Sequence, residues 1–366
     1  MRINKKQSNG QIVFQEYSFL NNSPDINNRK YLGSKQRLLN FISNVILEKS
    51  PQIETFIDGF AGTGVVANHF KKQARKIITN DLLYSNFIVN KVFLASSEDN
   101  CNLNKLAAII SNLNTIEPRK GYAYKNYGGT YFTQTNAALI DGIREEIDNL
   151  YKNNECSEQE YYILLTSLLF AVDKIANTVG QYDAYLKNIG EPAYDSRGRH
   201  RIDSNVYKKI LLKLPQIDFS RNNEIYNQDL NLLIKKIEGD VLYLDPPYNN
   251  RQYIDNYHVL ENICRWEKPL LFGKTKKFKR EHLKSRYSRK REAGTALAEL
   301  IANAGVEHIF LSYNNEGIIP ATRISGILKT RGRVELFEQE YGVFGNGAGR
   351  SQKRKIIERI YYCKVK

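Results

Sequence analysis

The chain has 366 residues, a net charge of +15 at pH 7 and 11% aromatic residues, enough length for a full α/β core with one insertion or a small second domain. The basic excess suits a polyanion partner, although an acidic membrane surface or plain solubility would use it too. No apolar run approaches the roughly 20 residues needed to span a bilayer, the first thirty residues lack a signal-peptide core, and four scattered cysteines and five histidines form no disulfide framework or metal-ligand pattern, so a soluble protein without bound metal is expected.

Residues 1–28 are polar around an isolated apolar patch at Ile12–Phe14 and read as an extended arm. The segment Lys30-Tyr-Leu-Gly-Ser-Lys35 leads into a helix that Ser34 is placed to cap, with Leu38, Leu39, Phe41, Ile42, Val45 and Ile46 recurring on one face. Tyr31 can pack against a cofactor and Lys35 can meet a carboxylate, although an ordinary helix entry has the same look. A strand at Thr55–Asp58, a glycine loop, a helix from about Gly64, a strand at Lys76–Asn80 and a helix over Tyr84–Ala95 then alternate in the manner of a parallel sheet.

The loop Asp58-Gly-Phe-Ala-Gly-Thr-Gly64 has G-x-x-G-x-G spacing, which differs from the dinucleotide fingerprint. Its glycines let the backbone approach a ligand closely, and the helix amino end that follows favours a negative group. Asp58 at the strand tip can bind an ammonium. Asp81, closing the second strand, is placed either to accept both hydroxyls of a ribose or to cap the next helix. An adenosine bearing an amino acid tail fits both ends.

From about Ser96 to Arg221 the alternation stops. Two long helical patterns, Asn136–Lys152 and Glu158–Ala176, are surrounded by loops rich in Tyr, Gly, Lys and Arg. Tyr122, Tyr124, Tyr127 and Tyr131, interleaved with Arg119, Lys120 and Lys125, either line a nucleic-acid groove or pack the insertion's own core. Asn177, Gln181 and Lys187 lie in a loop whose polar groups suit base edges. The sheet pattern resumes with Glu224–Asn227, Val241–Asp245 and His308–Tyr313, and closes with Arg333–Glu340 and Lys355–Lys364, expected as an antiparallel pair at one edge. Asp229 again ends a strand before a helix, where it can contact an adenine amine or act as a plain cap.

The run Asp240–Leu244 of β-formers delivers Asp245-Pro-Pro-Tyr248 to the carboxyl end of a buried strand, where α/β folds place ligands. Pro246 and Pro247 fix φ and contribute no N–H, so their carbonyls stay available as acceptors. Asp245 and the Pro246 carbonyl offer two acceptors for an exocyclic amine, and Tyr248 offers a stacking face. A strand-ending turn with a half-buried tyrosine is the plainer alternative. Downstream, Lys274, Lys276, Lys277, Lys279, Arg280, Lys284, Arg286, Arg289, Lys290 and Arg291 form a basic run suited to phosphates or to a solvated loop. The loop Gly345–Arg354, with Arg350 and Lys353, is a second candidate phosphate contact.

Taken in order, Tyr31-Leu-Gly-Ser-Lys35, the Asp58–Gly64 loop, Asp81, Asp229 and Asp245–Tyr248 resemble the D12 class (alpha group) of adenine-N6 DNA methyltransferases, over nearly the whole chain from Arg29. The resemblance implies a doubly wound α/β sheet of the class I methyltransferase kind, split as 29–95 and 222–366 around a mainly helical target-recognition domain at 96–221. It implies that S-adenosylmethionine is bound by Tyr31, Gly33, Lys35, Asp58, Phe60, Gly62, Gly64, Asp81, Asp229 and Asp245, and that Asp245, Pro246, Pro247 and Tyr248 hold the adenine. One departure is Asp58-Gly-Phe60, where such families often carry an aromatic after an acidic-Pro or acidic-Leu pair, which leaves the role of Phe60 open.

The resemblance further implies a monomeric, cytoplasmic enzyme of a bacterium or phage acting on double-stranded DNA, its DNA contacts drawn from Lys125, Asn177, Gln181, Lys187, Lys276, Lys277, Lys279, Arg280, Arg286, Arg350 and Lys353. It is expected to be paired with a separate restriction endonuclease, since no stretch is left over for a nuclease. Methylation of an RNA amino group and a non-catalytic subunit are the alternatives. Asp rather than Asn at 245 and the place of the insertion argue for DNA, and the presence of both the glycine loop and the tetrapeptide argues for catalysis.

Overall fold

Seven runs of β-formers join into one sheet in the order β3-β2-β1-β4-β5-β7-β6. In this computed structural model, residues 23–29, 31–187, 189, 204–219, 222–343 and 354–366 are described. The elements in chain order are α1 (Leu39–Lys49), β1 (Ile53–Asp58), α2 (Val65–Phe70), β2 (Ala74–Asn80), α3 (Tyr84–Leu94), α4 (Leu103–Leu113), α5 (Tyr122–Tyr127), α6 (Gln134–Lys152), α7 (Glu158–Ile175), β3 (Glu224–Tyr226), α8 (Leu230–Leu233), β4 (Glu238–Leu244), α9 (Tyr253–Arg265), α10 (Ala293–Asn303), β5 (Gly305–Asn314), α11 (Ala321–Lys329), β6 (Gly332–Val343) and β7 (Arg354–Val365).

Strands β1 to β5 are parallel, and β7 inserts antiparallel between β5 and β6. This is the expected doubly wound sheet, and the edge pair falls where the sequence places it. The central strands are apolar on both faces because both are covered, as parallel sheets require. Phe56, Val241, Tyr243 and Phe310 face one buried cluster with α1, α3, α7 and α9, while Ile57, Leu242, Leu244, Ile309 and Leu311 face another with α8, α10 and α11. The switch of direction between β1 and β4 opens a crevice at the carboxyl ends of these two strands, the usual ligand position in such sheets.

Three sequence expectations are corrected. Ser34 makes no side-chain cap bond; it precedes a 3-10 turn at Lys35–Leu38, and the helix proper starts at Leu39. The end of the presumed arm is not extended, because Asp25 caps a 3-10 turn at Ile26–Asn28 and Ile26 is buried in the core; residues 1–22 lie outside the described residues. Residues 103–113, read as loop, form α4, capped by Asn102 and burying Leu106, Ile110 and Leu113 at helical spacing.

The segment between α3 and β3 contributes only helices among the described residues, and these share the core of the sheet's first face. Arg144 of α6, 1% exposed, donates to the carbonyls of Ile263 and Cys264 at 2.9 and 3.1 Å and pairs with Asp148. Its guanidinium thus closes the carboxyl end of α9, where orphan carbonyls need donors.

Candidate active site

The crevice beyond β1 and β4 is lined by Tyr31, Gly33, Lys35, Asp58, Phe60, Gly62, Asp81, Asp229, Asp245 and Pro247, ten positions that the sequence singled out. Gly64, Pro246 and Tyr248 are each next in the chain to a lining residue but do not belong to that lining themselves. Gly62 and Gly64 have φ of +52° and +80°, the left-handed region that favours glycine. A Cβ on Gly64 would meet Asn90 Oδ1 at 2.1 Å, and one on Gly62 would press on the Tyr31 ring at 3.2 Å.

Tyr31 is held by its neighbours. Its ring stacks on Tyr257 of α9 at 4.6 Å between centroids and 8° between planes, and its hydroxyl accepts from Asn86 Nδ2 at 3.0 Å. Asn86 also donates to Asp81 Oδ1 at 3.1 Å. Asp81 accepts further from the Leu83 N–H at 2.8 Å and the Gly62 N–H at 2.9 Å. It ties the Leu83 N–H, just before α3, to the glycine loop while lining the crevice, and a carboxylate has lone pairs to spare. Asp229 caps α8 by accepting from the Asn231 N–H at 2.8 Å, and it also lines the crevice.

Asp58 is the anomaly. It is 1% exposed, neither carboxylate oxygen has a hydrogen-bond partner of ordinary geometry, and the backbone N–H groups of Ala67 and Phe60 only partly offset its burial. Burial and then the nearby Asp245 push it up to about 8. Phe60 packs edge-on against Tyr287 at 4.8 Å, which gives the residue of unclear role a place as a wall.

Asp245 emerges from β4 with Lys35 Nζ 2.8 Å from its Oδ1. Burial pushes it up to about 6 against the downward pull of Lys35. The same ammonium lies 3.4 Å from Glu358 Oε1 on β7. Burial works against the charge on Lys35, but Asp245 and Glu358 outweigh it and hold the amine well above its ordinary value. Lys35, expected to meet a ligand carboxylate, meets that of Asp245 in the tetrapeptide and lines the crevice. Tyr248 lies beside Gly33, whose φ is +78° and whose Cβ would meet the Tyr253 hydroxyl at 3.1 Å and the Tyr248 ring at 3.8 Å.

Residues 31–325 match the family model for the D12 class N6 adenine-specific DNA methyltransferases. The chain belongs to this family. The type II methyltransferase M.NlaIII of Neisseria lactamica is 34% identical over 92% of this chain and 98% of that protein. The modification methylase StsI of Streptococcus sanguinis is 35% identical over 92% of this chain and 52% of its own length, and the type II methyltransferase M.FokI of Planomicrobium okeanokoites is 36% identical over 91% and 52%. The chain spans about half the length of the last two relatives.

Several residues of this D12 chain escaped the sequence reading. Glu358, Tyr253, Tyr257, Asn86 and Tyr287 all shape the crevice; only their buried setting marks them, and none stands in a motif. Among the expected DNA contacts, Asn177 is fully buried and donates to the carbonyls of Thr130, Leu186 and Lys187, so it holds its own loop rather than facing a base. Arg280 is buried and paired with Asp255 of α9, and Arg286 pairs with Glu299 at 2.8 Å. Tyr127 and Tyr131 are fully buried, which decides for core packing over groove lining. Lys125, Lys187 and Lys279 are exposed; Gln181, Lys276 and Lys277 are half-buried; Arg350 and Lys353 lie outside the described residues. No helix of the described residues is long and apolar enough to cross a membrane.

Proposed function

We propose that this chain methylates N6 of an adenine flipped out of double-stranded DNA, with S-adenosylmethionine as donor, as the modification half of a restriction-modification pair whose cleavage belongs to a separate protein. In this reading 29–95 and 222–366 form the catalytic unit and 96–221 reads the target. The observation that carries it is the joining of Asp245 to the Asp58–Gly64 loop in one crevice, with an acceptor carboxylate and, near it, a buried one without a hydrogen-bond partner.

The residues present fit the cofactor. An ammonium would satisfy the orphaned Asp58, Asp81 retains lone pairs for ribose hydroxyls, Asp229 at the crevice wall would accept from an adenine amine, and Tyr31 over Gly62 would supply an apolar wall. When bound, S-adenosylmethionine supplies an electrophilic methyl on a sulfonium: nitrogen bonds to carbon as the carbon–sulfur bond breaks, leaving a neutral thioether and a proton to be shed from N6.

Adenine N6 is a weak nucleophile because its lone pair is delocalised into the ring. Asp245, with Lys35 engaged at Oδ1, has its second oxygen for one N6–H, and the Pro246 carbonyl is the acceptor for the other. Accepting both localises the lone pair, and the carboxylate stabilises positive charge growing on nitrogen. Positioning supplies the rest. The base must leave the stack to reach this pocket, where Tyr248 replaces the lost stacking; flipping costs a few kcal/mol, which phosphate contacts offset.

Single-molecule sequencing of DNA from a host without adenine methylation of its own, expressing the protein or Asp245→Ala, tests the reading. N6-methyladenine at one short motif, lost in the variant, is expected. Absence of modified adenine from cells holding folded, cofactor-binding protein would overturn it and make RNA the next substrate to assay.

A further inference from the structure

Behind Asp245 lies a second carboxylate that no motif announces. Glu358, 1% exposed in the middle of β7, accepts from Ser312 Oγ of β5 at 2.6 Å on its Oε1. The same oxygen is 3.4 Å from Lys35 Nζ, which in turn is 2.8 Å from Asp245 Oδ1. Its other oxygen, Oε2, is buried without a partner. An acid with half its acceptor capacity unmet is costly inside a protein, and an apolar residue would pack this buried position better. The arrangement answers an electrostatic need instead.

Lys35 alone would neutralise Asp245 and compete with N6–H for its lone pairs. A second carboxylate on the same ammonium divides its charge, so that Asp245, Lys35 and Glu358 together carry −1. We propose that Glu358 is a positioning residue for methyl transfer: by drawing the Lys35 ammonium toward itself it leaves Asp245 the negative charge with which to accept N6–H and to stabilise the cation developing on nitrogen. The proposal rests on Asp245 being the N6 acceptor.

Among the described residues the remaining groups around the cluster are few. Tyr243 of β4, Tyr248, Tyr253 and Tyr313 of β5 are raised by burial and stay neutral at working pH, and Glu316 acts on Tyr248. Across β6 the partner of Glu358 is the uncharged Gln339, while the Arg359–Glu338 pair falls on adjacent register positions that point to the other face of the sheet. Asp58 is the other carboxylate near Asp245, and saturating cofactor holds it ionised.

The experiment is single-turnover methyl transfer against pH, at saturating S-adenosylmethionine and duplex DNA, for wild type and Glu358→Gln. In wild type the rate climbs as Asp245 ionises, near pH 6. Glu358 is one of the charges that raises Asp245, so its neutralisation moves this acid limb to lower pH. At the same time the plateau falls, on the order of tenfold to a hundredfold, with little change in the half-saturating concentrations, because a charge acting through another residue is worth less than a direct contact. A lower plateau with an earlier acid limb is the signature, and a loss of packing would not produce it.

Glu358→Asp, one methylene shorter, pulls Lys35 less and should show both effects in part; it serves equally if the glutamine variant fails to fold. An unchanged plateau, or a fallen plateau with the limb unmoved, overturns the proposal. Asp245→Asn separates the two levels: its inactivity alongside a wild-type-like Glu358→Gln removes the role of Glu358 alone, whereas full activity of Asp245→Asn removes the underlying reading of Asp245.

Discussion

A buried carboxylate without a hydrogen-bond partner of ordinary geometry, as at Asp58, is unstable in its charged form until a cation arrives. The folded chain holds a proton there up to about pH 8, whereas the unfolded chain loses it near the ordinary carboxylate value of about 3.9. Between those limits the folded state binds the extra proton, so stability without ligand falls as pH rises through the window. Asp58→Asn removes that penalty. The variant is expected to melt higher than wild type at pH 8 in the absence of cofactor, and to lose most of the difference at pH 4. It also lacks the charge for an ammonium, which weakens S-adenosylmethionine binding by about tenfold to a hundredfold, since a charged hydrogen bond is worth about 1.5–3 kcal/mol. Calorimetric titration together with thermal melts at both pH values reads the two effects, and a variant that melts lower at pH 8 or binds the cofactor normally contradicts the role given to Asp58.

The glycine loop shows how an element carries a site. Gly64 sits at φ +80° with Asn90 Oδ1 where a Cβ would lie, so Gly64→Ala meets both left-handed strain and a buried amide. Strain of this kind costs about 1–2 kcal/mol before the clash is counted. The variant should lose several degrees in melting temperature and bind cofactor weakly; an unchanged melt would show that the loop relaxes freely. Loops and strands of this kind are legible in sequence because their constraints are local. The strand, the three glycines and Asp58 are contiguous, as are β4 and Asp245–Tyr248. Glu358 is not legible, because its partner Lys35 sits at the other end of the chain and only the sheet's fold brings β7 beside β5, one strand from β4. α4 carried a readable signal in Asn102 and the spacing of Leu106, Ile110 and Leu113, lost among the surrounding polar residues. Asn177 misled for a different reason: a polar loop residue that satisfies three carbonyls has the same sequence appearance as one that reads a base.

Across the whole molecule, the charge of +15 divides between cations engaged inside the fold and cations left to solvent. Within the basic run after α9, Arg280 and Arg286 have carboxylate partners, whereas Lys274, Lys279, Lys290 and Arg291 are exposed and unpaired among the described residues. Lys279 and Arg280 are neighbours in sequence with opposite fates, which makes them a sharp comparison. Each phosphate neutralised adds about 0.9 to the slope of log affinity against log salt. Lys279→Ala is expected to reduce that slope by about one such step and to leave the melting temperature alone. Arg280→Ala leaves Asp255 without its guanidinium beside the first turn of α9, and takes a donor from the Phe278 carbonyl at 2.7 Å. Its expected effect is lower stability with the salt slope unchanged, because a charge already neutralised within the protein releases no counterions from DNA. Duplex binding measured between 50 and 200 mM salt, about the range over which such contacts are felt, distinguishes the two. The division of the basic run fails if Arg280→Ala flattens the slope as much as Lys279→Ala does, since the fold would then be lending that guanidinium to DNA rather than keeping it for α9.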